Sequence, residues 1–150
     1  DPLIDEIRRF LIVKKDWPPK EFQRASRVIR SKQRDLSVKE SELENLRDYL
    51  ILKRAFLLGL LENQNLLEHE SFTDLIWAVF NLTEELVNRD VLKNLPNQDL
   101  EHLNNDIKRA YNLLIIEWLS YMEHLNIAYP YLFSLAVRTN PFDPDASVVL

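Results

Sequence analysis

Apolar residues recur along this chain at steps of three and four for most of its length, the spacing that lines one face of an α-helix. Near the amino end Leu3, Ile7, Phe10 and Leu11 follow it, behind Asp1 as N-cap and Pro2 at the first helical position. Asp16-Trp17-Pro18-Pro19 ends this helix, because neither proline donates the hydrogen bond that would continue the ladder. The spacing resumes over 19–34, where Phe22, Ala25 and Ile29 share one side at about 100° per residue. Lys20, Arg24, Arg27 and Arg34 line the opposite side, with Arg30 flanking them.

Ser37 with Glu40, or Ser41 with Glu44, reads as a capping box opening a long helix near 38–67. Its section YLILKRAFLLGLL is apolar around nearly the whole circumference, which predicts a buried central helix. Gly59 within it predicts a close helix approach, since a mid-helix glycine otherwise costs about 1 kcal/mol relative to alanine. Ser71 and Asp74 cap a fourth helix, with Phe72, Leu75, Ile76, Val79, Phe80 and Leu86 as its stripe, and NRDVLKNLPNQD is a loop. A second long helix, near 99–125, carries Leu100, Leu103, Ile107, Ala110, Leu114, Trp118, Tyr121 and Leu125. Pro130 starts a short sixth helix that Asn140-Pro141 stops.

The pattern predicts an all-α bundle of about five to six helices, two of them long and central, with an extended carboxyl tail. It reads as one domain over 1–150: a basic helical pair at 1–36, a bundle core at 37–140 and a tail at 141–150. Composition sharpens this. One glycine in 150 residues leaves little material for strand-linking turns, and zero cysteine removes disulfides, thiolate metal sites and cysteine nucleophiles. No apolar run approaches the ~20 residues that span a bilayer. The opening Asp1 in place of methionine implies an excerpt from a longer protein.

The net charge of -5 is unevenly spread: residues 1–36 hold ten Lys/Arg against six Asp/Glu, and the remainder is strongly acidic. The basic face of the second helix (Lys20, Arg24, Arg27, Arg30, Arg34) reads either as a solvated surface or as a site for an anionic lipid surface. Nucleic acid is not expected, because the rest of the chain is acidic and no aromatics interleave with the cations.

Candidate chemistry is sparse. The residues three before His69, His102 and His124 are Leu66, Asp99 and Tyr121, so the Glu-x-x-His pairs of a di-iron bundle are missing and no metal site is assigned. The single glycine sits in a helix, which excludes a phosphate-cradling loop and a glycine-flanked serine elbow. No cofactor and no enzymatic activity are expected. Lys53 and Glu117 interrupt apolar stretches, and a buried lone charge is costly, so they read as a structural ion pair.

Within the carboxyl segment YPYLFSLAVRTNPFDPDAS the short helix PYLFSLAV leaves almost no polar face, so Leu132, Phe133 and Leu135, with the later Phe142 as an anchor, read as docking or interface residues. This segment, with the all-helical layout, resembles the carboxyl-terminal cytoplasmic helical domain of archaeal two-transmembrane, potassium-channel-like proteins. The filter motif and pore helices of such channels are absent from the chain. The resemblance implies transmembrane segments upstream, a regulatory role for this part, and a basic amino end close to the membrane's inner face. The expectation is a non-enzymatic cytoplasmic domain that forms homo-oligomers or binds a partner. The alternatives are a free-standing helical adaptor and a degenerate helical enzyme or sensor domain.

Overall fold

Seven helices make up the computed structural model, which describes residues 2–32 and 38–149, and no strand occurs among the described residues. They are α1 (Pro2–Arg9), α2 (Pro19–Ser31), α3 (Glu40–Leu61), α4 (Gln64–Leu67), α5 (Glu70–Val87), α6 (Asn97–Ala128) and α7 (Pro130–Arg138). The chain is all-α, as the hydrophobic spacing predicts. It forms two compact units, one from 1–35 with 115–150 and the other from 36–114. The basic helical pair therefore belongs with the carboxyl end.

In the first unit α2 buries Phe22, Ala25 and Ile29, the three residues its pattern places on one side. Phe22 meets Trp17 edge-on at 5.3 Å and Phe133 of α7 at 6.4 Å. α1 stops at Arg9, yet Leu11 and Val13 beyond it are buried all the same. Two asparagines tie the segment after α1 to the carboxyl end. Asn140, 1 % exposed, donates from Nδ2 to the Leu11 carbonyl at 2.7 Å and accepts from the Phe142 N–H at 2.9 Å. Asn126 donates to the Trp17 carbonyl at 3.1 Å. These bonds satisfy polar groups that would otherwise cost free energy on burial.

Beyond α7 the tail is non-helical and built from turns. The Ser147 N–H donates to the Arg138 carbonyl at 2.9 Å, Arg138 Nη1 donates to the Val148 carbonyl at 2.5 Å, and Phe142 packs edge-on against Trp118 at 4.9 Å.

In the second unit Leu43 and Leu50 of α3, Ala78, Leu82 and Leu86 of α5, and Leu103, Ile107 and Ala110 of α6 share one core with Leu92 of the α5–α6 loop. That loop is anchored where the Leu95 N–H donates to Glu40 Oε1 at 2.8 Å, and its Asn94 takes the left-handed conformation that asparagine tolerates. The start of α3 lies where Glu42 Oε2 accepts from the Lys39 N–H at 3.3 Å, so neither Ser41 with Glu44 nor a serine cap opens the helix. Ser37 lies outside the described residues.

Two expectations are corrected. α3 is not buried around its circumference: Leu43, Leu50 and Leu57 are covered, while Tyr49, Ile51, Leu52, Phe56 and Leu58 are exposed. Gly59 marks no close approach, since a Cβ placed there meets nothing within 4 Å. The stripe along α6 also differs. It runs Leu103, Ile107 and Ala110, then steps by five to Ile115, Leu119, Met122 and Leu125, leaving Leu114 and Tyr121 exposed. The step falls at the boundary between the two units, because one helix lends a differently phased face to each core.

Candidate functional site

Three features stand out. The first is a cavity of about 360 Å³ in the first unit, lined by Arg9 and Phe10 at the end of α1, Ile12, Lys14 and Trp17 of the following loop, and Glu21, Arg24 and Ala25 of α2. Leu11 and Val13 turn inward to the core, which leaves the alternate positions Ile12 and Lys14 at the cavity. The prolines at 18 and 19 then start α2 so that Glu21, Arg24 and Ala25, three and four apart, share the facing side. Three cations and one carboxylate border the space. Arg24 reaches Glu21 at a loose 3.8 Å, and among the described residues neither Arg9 nor Lys14 forms an ion pair.

The second is a charge cluster between α5 and α6. Arg89 Nη1 donates to Glu85 Oε2 at 2.7 Å and to the Glu85 carbonyl at 2.6 Å, and its Nη2 lies 3.4 Å from Asp99. His102 Nε2 lies 3.7 Å from Glu85 and 3.5 Å from Asp106, and Asn81 donates to Asp106 at 3.4 Å. The Arg89 hydrogen bond holds the Glu85 carboxyl below the usual range; partial burial opposes this, and the charges of Arg89 and His102 add to it. Arg89 is in turn raised, chiefly by its bond to Glu85. Ligand atoms of Glu85, His102 and Asp106 lie within 4.8 Å of one another, a spacing that among the described residues could hold a metal ion. A guanidinium already occupies the Glu85 oxygen, so the cluster works as an ion-pair relay joining two helices. Sequence reasoning missed it. The signal was the four-residue step from His102 to Asp106 and from Glu85 to Arg89, but only the fold brings the pairs together.

The third is the exposed side of α3. Tyr49, Leu52, Phe56 and Gly59 are spaced three, four and three apart, a seam that runs on the far side of the helix from Leu43, Leu50 and Leu57. Leu52 is 76 % exposed, Phe56 63 % and Tyr49 58 %. Trp77 of α5 is also exposed and meets Phe80 edge-on at 6.2 Å.

Of the residues singled out from sequence, Lys20, Arg24, Arg27 and Arg30 are exposed along α2, and Arg34 lies outside the described residues. Phe133 is buried and Phe142 half-buried, whereas Leu132 and Leu135 remain exposed on the outer side of α7. Lys53 and Glu117 fall in different units. Lys53 is exposed with its ammonium 5.6 Å from the Tyr49 ring centroid, and Glu117 is half-buried. The expected ion pair is part of neither unit. The neighbour of Lys53, Arg54, does bridge helices, reaching Glu84 of α5 at 2.7 Å and lying over the Phe80 ring.

Among the described residues no helix is long and apolar enough to cross a membrane. No solved structure matches the chain. It is similar to the protein described as "Uncharacterized protein MJ1433" of Methanocaldococcus jannaschii, with 43 % identity over 146 residues. That alignment covers 97 % of this chain and 59 % of the relative, so the chain spans less than two thirds of the relative's length.

The likeness of the carboxyl segment to channel-like proteins is thereby overturned, since neither the relative nor the matching family carries a channel description. What suggested it, an apolar helix between prolines followed by a proline-containing tail, is explained by docking: Phe133 packs on Phe22 and Phe142 on Trp118. The family model for the "Uncharacterized protein MJ1433, C-terminal helical domain" matches residues 1–138, and the chain belongs to that family.

Proposed function

We propose that this chain is a non-enzymatic helical interaction domain that pairs with a second copy of itself through the exposed face of α3. One observation carries the reading: the section of α3 over 49–61 is apolar almost all round, yet the chain buries only the side bearing Leu50 and Leu57. Burying Leu52 or Phe56 against a partner contributes about 1.5–3 kcal/mol each. Gly59, with open space where a Cβ would stand, lets a second helix approach closely at the end of the seam. A mid-helix glycine that does nothing for internal packing gains a reason there.

The flanks favour a like partner. By helical position Lys53 lies on one edge of the seam, and Asp48 and Glu62 lie on the other. Parallel copies set unlike edges against one another, which favours pairing; antiparallel copies oppose the acidic edges. Sedimentation over a dilution series tests this. The wild-type chain is expected to pass from dimer to monomer on dilution, and Phe56→Asp to stay monomeric with unchanged helicity. A wild-type monomer at every concentration overturns self-pairing.

The exposed row Lys20, Arg24, Arg27 and Arg30 favours a second reading, attraction to an anionic lipid surface at the inner face of a membrane, where each nearby cation is worth about 1 kcal/mol. Co-sedimentation with phosphatidylserine vesicles that survives reversal of all four charges removes it.

A further inference from the structure

We infer that the cavity between α1, its following loop and the start of α2 binds a small phosphate-bearing molecule with a planar apolar body. At about 360 Å³ it lies within the range of small-molecule sites, roughly 300–1,000 Å³. Its lining is divided in the way such sites are. Phe10, Ile12, Trp17 and Ala25 offer apolar surface, and Arg9, Lys14 and Arg24 offer positive charge.

The charge is what points to an anion. Several cations outside the cavity are paired, Arg89 with Glu85, Arg54 with Glu84, Arg8 with Asp5 and Lys32 with Glu6, while Lys20, Arg27 and Arg30 stand apart along the exposed side of α2. Here three cations border one space with a single carboxylate among them, and that carboxylate, Glu21, holds only Arg24, at 3.8 Å. Arg9 and Lys14 have no ion-pair partner among the described residues. Cations brought together without counter-charge repel one another, and a bound anion relieves this. Two guanidiniums present planar donor forks that match phosphate oxygens, and Lys14 adds a compact third charge.

Trp17 supplies the platform for a ring. Phe22 abuts it edge-on, with the ring planes at 76°, and the Asn126 side chain bonds its carbonyl, so it is held from the core side while it borders the cavity. An aromatic face beside two guanidiniums suits a planar body joined to phosphate, the chemistry of an aryl phosphate or a nucleotide. A lipid headgroup shares the phosphate and lacks the ring.

Isothermal titration of the wild-type chain with phenyl phosphate, with inorganic phosphate, and with phosphatidylcholine vesicles with and without phosphatidylserine separates these sources. Phenyl phosphate is expected to bind at least tenfold more tightly than inorganic phosphate. Lys14→Glu is expected to weaken it at least tenfold, while Lys15→Glu, the same charge change outside the cavity lining, stays within twofold. Both lysines are exposed, so melting of the variants should match wild type. Equal weakening by the two variants, equal affinity for the two phosphates, or binding confined to phosphatidylserine vesicles would each overturn the proposal. Phe56→Asp is expected to leave phenyl phosphate affinity unchanged, which separates this site from self-pairing through α3.

Discussion

Asn140→Ala removes a buried side-chain bond that ties the segment after α1 to the end of α7. The side chain is 1 % exposed and serves two backbone groups, donating to the Leu11 carbonyl at 2.7 Å and accepting from the Phe142 N–H at 2.9 Å. Alanine leaves both without that partner. A buried polar group left unsatisfied costs about 1–3 kcal/mol, and because Phe142 is only half-buried its N–H falls at the low end. The total is about 2–4 kcal/mol. In a chain of this size that corresponds to a fall in melting temperature of roughly 5–12 °C. Asn140→Asp refines the argument. It keeps an acceptor for Phe142 but turns an oxygen towards the Leu11 carbonyl, so the ionised form is repelled and the protonated form can donate. Its folded-state pKa is therefore raised, and the stability it retains at low pH is lost as pH rises through that value. Thermal denaturation of both variants, followed by circular dichroism at two pH values, is the assay. An Asn140→Ala protein that melts within about 1 °C of wild type would refute the reasoning.

Phe133→Ala empties the space against Phe22 and is expected to destabilise by about 3–5 kcal/mol in urea unfolding, whereas Leu132→Ala on the exposed side of α7 should change stability by under about 0.5 kcal/mol. The lowered pKa of Glu85 means its pairing with Arg89 stabilises above the unfolded-state pKa of about 4.3 and is lost as pH falls through the lower folded value. Acid unfolding of Glu85→Gln should therefore lie below wild type at neutral pH, by no more than about 1 kcal/mol for a pair this exposed, and converge with it in strong acid.

Where the sequence was legible, one core imposed one period. Phe22, Ala25 and Ile29 are buried together as their spacing requires, and Pro130 and Pro141 bound the last helix because a proline allows only certain neighbours. It was less legible where one helix serves two cores. On α6 the step from Ala110 to Ile115 shifts the buried stripe, so Leu114 and Tyr121, which fit an unbroken pattern, face outward. α3 exposes another limit. Apolar residues around a whole circumference state that the helix is to be covered, and not by which chain. Of the cavity's three cations only Arg24 belongs to the basic row of α2; Arg9 ends α1 and Lys14 lies in a loop with no period to read. Adjacent cations show the same limit, since Arg54 reaches α5 while Lys53 is exposed, their directions differing by one residue, about 100°.

Pairing through α3 is tested most directly by a single thiol at Gly59. The chain has no cysteine, and a side chain at Gly59 meets nothing within 4 Å, so Gly59→Cys adds one reporter without disturbing the fold. A disulfide forms only when two Cα atoms come within about 4.4–6.8 Å. Under mild oxidation Gly59→Cys is expected to give a covalent dimer at concentrations where Glu101→Cys, exposed on α6, gives none. Failure of Gly59→Cys to cross-link, or equal cross-linking of both variants, would contradict self-pairing.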